Sequence, residues 1–75
     1  LVTNNKYILK MEQELINIID EIRVISHQVA HTYTLEIAGS DMDANQWLLL
    51  QQALEEIKLK SQAALSKVNT LRLYP

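Results

Sequence analysis

The chain has 75 residues, a formal net charge of −2, one glycine, one proline, no cysteine and no phenylalanine. That length builds one small domain at most, and the composition supplies no disulfide to staple it. The faint acidity argues against nucleic acid, which rewards clustered Lys and Arg. The longest apolar run, Trp47-Leu48-Leu49-Leu50, is far too short to span a membrane.

An apolar content of 48% is that of a folded chain, not a disordered one. The first residues lack the apolar stretch of a secretory leader. Residues 1–6 are mostly polar and are expected to fray. From Ile8 a heptad begins. Ile8, Met11, Leu15, Ile18, Ile22, Ile25 and Val29 step alternately by three and four, which puts all seven on one stripe of a helix. Thr32 and Glu36 continue the stripe more weakly. The isoleucines do not alternate with period two, so a strand is excluded, and a helix is predicted from about 6 to 38. Gly39 then suits the position just past the helix, where a left-handed backbone favours glycine.

The cluster Ala38-Gly39-Ser40-Asp41-Met42-Asp43 is the one turn-like stretch in the sequence. It predicts a loop over 39–43. Asp43 is the expected N-cap of the next helix, with Gln46 three residues on completing a capping box; Ser40 with Asp43 is an earlier, competing cap. Met42 and Trp47 have the spacing of a hydrophobic staple across that cap. Downstream, Trp47, Leu50, Leu54, Ile57, Ser61, Ala64, Val68 and Leu71 repeat the three–four stepping, broken only by Ser61. Acidic residues lie toward the start of this stretch and basic ones toward its end, as the helix dipole favours. A second helix is predicted from 44 to about 72.

The expected fold is therefore all-α: an antiparallel, coiled-coil-like two-helix hairpin, a single domain over residues 1–75, with the stripes facing each other. Apolar residues off the stripes are surplus to that seam. Leu9 and Leu49 are among them, and Ile16, Ile19, Val24, Leu48, Leu59 and Leu65 are the expected partner-binding residues. A small chain with such a surplus is expected to bury it against another chain.

Nothing in the sequence makes a convincing catalyst, so no enzyme activity and no cofactor are expected. His27 and His31 stand four apart on a helix, a chelating spacing, but Val24, Thr34 and Leu35 occupy the places where a third ligand is needed. No metal site is expected. Ser26-His27 before a returning helix resembles the phosphoacceptor hairpin of histidine kinases. Gln28, however, stands where that motif has an acid, and its proline is missing. Glu12 with Glu14, and Glu55 with Glu56, read as solvated helix faces. Tyr7, Tyr33 and Tyr74 are too dispersed for a base-stacking surface.

A cysteine-free hairpin whose second helix opens in Gln-Trp is similar to the small YscE-like co-chaperones of bacterial type III secretion needle subunits. The resemblance covers Met11 to about Leu71. It is most specific over Gly39-Ser40-Asp41, Asn45-Gln46-Trp47 and Gln51-Gln52-Ala53-Leu54-Glu55. It implies a cytoplasmic bacterial protein that pairs with a helical-repeat chaperone, and through it keeps the aggregation-prone needle subunit soluble and unpolymerised. Two other readings remain beside it. One is a homodimeric four-helix bundle with a regulatory or structural role. The other is a needle or inner-rod subunit, although such subunits often carry a proline in the turn.

Overall fold

The computed structural model describes residues 2–39 and 41–73. Helix α1 runs Val2–Gly39 and helix α2 runs Ala44–Leu71, with no strand among the described residues. The two helices pack against each other along their length. They are antiparallel: Lys60 Nζ donates to Glu21 and Lys67 Nζ to Glu14, each at 2.6 Å, while Gln46 meets Glu36 beside the loop. A step of seven along α1 is thus matched by a step of seven back along α2, which sets Ile16 level with Leu65 and Arg23 level with Lys58. The hairpin is a rod of 57 × 16 × 16 Å.

α1 begins about four residues earlier than the hydrophobic stripe alone indicates. Once the stripe holds a helix, each added residue gains a backbone hydrogen bond, so polar residues need no packing of their own to extend it. The β-branched run Thr32-Tyr33-Thr34 does not interrupt it, and the Thr34 hydroxyl donates back to the Ala30 carbonyl within the helix.

The seven heptad residues of α1 from Ile8 to Val29 are all buried or half-buried. Beyond them the inward residue is Tyr33 rather than Thr32, followed by Glu36. A straight helix drifts against a strict seven-residue repeat, and one step of four in place of three restores the seam while bringing in the larger side chain.

The end of α1 corrects the expectation for Gly39. This glycine is the last helical residue, not the one beyond it, and its φ lies outside the left-handed region. The Asp41 N–H reaches back 3.2 Å to the Glu36 carbonyl, a six-to-one bond that closes the helix end. The next position, Ser40, lies outside the described residues, and with it the competing cap.

α2 opens on a complete capping box. Asp43 has extended backbone angles, its Oδ1 accepts from the Gln46 N–H at 2.8 Å, and its own N–H donates to Gln46 Oε1 at 2.8 Å. The helix ends at Leu71, and the Arg72 N–H bonds the Val68 carbonyl at 3.0 Å. The expected charge polarity is confined to the flanks. No acid stands in the first turn proper and no base in the last, but Asp43 caps one end and Arg72 the other.

The seam of α2 differs from the predicted stripe. Leu50, Ile57, Ala64 and Leu71 face inward as expected, but their companion column is Ala53, Lys60 and Lys67. Trp47, Leu54, Ser61 and Val68 are exposed. At 100° per residue this is a rotation of α2 by about 50° from the predicted face. Two features of the pairing account for it. The small Ala53 and Ala64 let α2 approach the isoleucine-rich face of α1. The lysine stems lie along the seam while their ammonium groups reach Glu14 and Glu21 at its edge. Hydropathy ranks Leu54 and Trp47 above Ala53 and Lys60, so counting apolar positions selects the other column.

Candidate protein-interaction surface

The seam leaves two unlike flanks. On one, Glu14 and Glu21 of α1 meet Lys67 and Lys60 of α2, and Lys60 is also 3.9 Å from Glu56. Lys60 and Lys67 are about one-quarter exposed, and their carboxylate partners about half. The hydrogen bond from Lys67 holds the Glu14 carboxyl below its ordinary value. The hydrogen bond to Glu21 raises the Lys60 ammonium above its ordinary value, against the smaller effect of burial.

The other flank is apolar. On each helix it is the column one residue past the inward one. On α2 that is Trp47, Leu54, Ser61 and Val68, and on α1 it is Glu12, Ile19 and Ser26, with Ile16 and Leu65 on the adjoining columns. Trp47 and Leu54 are each 49% exposed and Val68 42%. Among the described residues only Met11 and Leu50 are buried, each at 8% exposure, so this flank carries more large apolar surface than the seam can absorb. Along α2 the flank opens a shallow groove of about 530 Å³ lined by Trp47, Leu50, Gln51, Leu54, Glu55 and Lys58.

The six residues expected to bind a partner are all exposed, between 40% and 62%. They do not share one face. Ile16, Ile19 and Leu65 lie on the apolar flank. Val24 and Leu59 lie on the outer columns toward the ionic flank, and Leu48 on the outer back of α2. Trp47, Leu54 and Val68 belong to the surface instead, having been assigned to the seam. What identifies them is the pair of lysines in the competing column, each with a glutamate to meet seven residues apart on α1.

The histidines stack with ring centroids 6.4 Å apart and planes 10° from parallel, both exposed. Among the described residues no group of three His, Cys, Asp or Glu side chains is placed to hold a metal ion. No described helix is long and apolar enough to cross a membrane. No family model, no curated protein and no solved structure matches the chain.

Proposed function

We propose that this chain is a non-catalytic protein-binding hairpin whose apolar flank is covered by another polypeptide. One observation carries the reading. One of the two inward columns of α2 holds two lysines and an alanine, while the column holding Trp47, Leu54 and Val68 is left in solvent. A hairpin stable for its own sake gains by burying the richer column; a hairpin shaped for association keeps it outside. The resemblance over residues 39–55 gives this reading its specific form. That form is a co-chaperone that pairs with a helical-repeat chaperone in the bacterial cytosol and so keeps a secretion needle subunit unpolymerised.

The test is purification from the native host with and without Leu54→Glu, followed by mass spectrometry of what accompanies each. The expected result is a stoichiometric companion lost on Leu54→Glu, with the far-ultraviolet circular dichroism of the variant unchanged. A companion that stays with Leu54→Glu refutes the flank as the binding surface. A companion other than a helical-repeat chaperone refutes the specific form.

A further inference from the structure

His27 and His31 stand one turn apart on the back of α1, directly away from α2 and clear of the apolar flank. Both are exposed, and no ion pair among the described residues engages either ring. The rings lie side by side, their planes 10° from parallel and their centroids 6.4 Å apart. Residues four apart on a helix have Cβ atoms about 5–6 Å apart, so both imidazoles can reach one spot above the helix surface. Two imidazole nitrogens holding one ion at about 2.0 Å place the ring centroids roughly 5 Å apart. The broad χ2 torsion of histidine lets exposed rings turn and close that difference.

We propose that His27 and His31 form an open two-imidazole site for a divalent transition-metal ion, with Cu2+ its best-fitting occupant. Val24 and Leu35 offer no donor, and the Thr34 hydroxyl is turned back to the Ala30 carbonyl. That excludes a closed zinc site of four protein ligands. It leaves room for an ion that keeps water in its remaining positions. Planar nitrogen and oxygen donors suit Cu2+ or Ni2+, and two adjacent imidazoles with two waters make such a plane. Affinity at imidazole sites rises along the divalent series to Cu2+ and falls again at Zn2+. The charge of the rod supports a cation here. Residues 24–57, its loop-side half, carry five acids and no Lys or Arg, while the rest of the chain carries four acids and all seven bases. Such a field concentrates cations at the surface. Arg23, the one Lys or Arg within a turn of either histidine on α1, is held by Asp20 at 2.8 Å. The site lies off the apolar flank, so it stands whether or not a partner covers that flank.

Isothermal titration calorimetry of the untagged 75-residue chain with CuCl2, in a buffer that does not coordinate metals, tests it, with urea unfolding alongside. The expected result is saturation at one Cu2+ per chain and weaker binding of Zn2+. The unfolding midpoint should rise with Cu2+, because the ion clips successive turns of the folded helix. His27→Ala and His31→Ala are each expected to weaken Cu2+ binding by about tenfold or more, since even a group that merely supports a metal ligand costs that much. A further variant keeps two histidines and separates them. His31→Ala with Thr32→His sets the pair five apart and about 140° around the helix. It is expected to lose the binding while keeping the circular dichroism of the wild type. No saturable Cu2+ binding by the wild type, or binding left unchanged by either single substitution or by the separated pair, overturns the site. Zn2+ bound more tightly than Cu2+ overturns copper as its occupant.

Discussion

Leu50 and Leu54 lie one helical turn apart on α2 and have the same side chain, so truncating each in turn reads the register directly. Leu→Ala removes three carbons, worth about 2.5 kcal/mol when fully buried at roughly 0.8 kcal/mol each. Leu50 is 8% exposed and should lose nearly all of this. The gap opens at the edge of a two-helix seam and can collapse, so no large cavity cost is added. Leu54 is 49% exposed and should lose about 1 kcal/mol. The difference, a little over 1 kcal/mol, is close to tenfold in the folding constant and well within reach of urea unfolding followed by circular dichroism. The measurement belongs at several protein concentrations. If a second copy covers Leu54, its cost rises with concentration, while that of Leu50 stays nearly constant. If Leu54→Ala costs as much as Leu50→Ala at the lowest concentration, the seam contains Trp47, Leu54, Ser61 and Val68 after all, and both the ionic flank and the proposed surface are wrong.

Asp43→Ala should cost about 1 kcal/mol through loss of the N-cap, whereas Gln46→Glu keeps the acceptor for the Asp43 N–H and should cost less in spite of the nearby Glu36; equal melting of both variants with wild type would mean that the box does not form in solution. Gly39→Ala should be neutral or stabilising by up to about 1 kcal/mol, because a Cβ there meets Asp41 Oδ2 at an ordinary 3.4 Å and the backbone is not left-handed; a drop in melting temperature would restore the left-handed cap. Stability should be level between the ordinary carboxylate and lysine ranges. It should fall in acid as the lowered Glu14 carboxyl takes up its proton below 4.5, and in alkali as the raised Lys60 loses its proton above 10.5. Glu14→Gln should therefore be less stable than wild type near neutrality and converge on it in acid, and a constant gap at every pH would assign the loss to packing.

The hairpin itself was readable from residues alone, because two kinds of signal agree. The unbroken three–four stepping from Ile8 to Val29 specifies a helix and its buried face together. Asp43 and Gln46 specify where α2 begins through a hydrogen-bond exchange local enough for four residues to determine it. The end of α1 was less legible. A single glycine marks a helix end but fits either the last helical residue or the one beyond. The choice depends on a bond from Asp41 to Glu36 that composition does not display. Tyr33 was missed for a related reason. A repeat counted in sevens from Ile8 arrives at Thr32, and the helix, having drifted, presents its neighbour.

The inward face of α2 was hidden because hydropathy treats lysine as a surface residue, and here lysine is an edge residue with a buried stem. Lys60 and Lys67 stand seven apart, and so do Glu14 and Glu21 on the antiparallel helix, so one rotation and one sliding position satisfy both pairs at 2.6 Å. Exposed ion pairs contribute little to stability, typically under about 1 kcal/mol each. Their consequence here is choice of register. Turning α2 by about 50° to bury Trp47, Leu54 and Val68 would leave both lysines and both glutamates without their partners across the seam. The charged column thus selects the rotation, and the rotation determines which apolar residues remain outside. Replacing both lysines by leucine should remove that selection, making the seam greasier and the register less defined. The isolated hairpin is then expected to melt higher. Association through the flank should weaken, because Trp47, Leu54 and Val68 spend part of their time inside. A double variant that gains stability and associates as tightly as wild type would show that the lysines only solubilise the seam's edge and do not set the surface beside it.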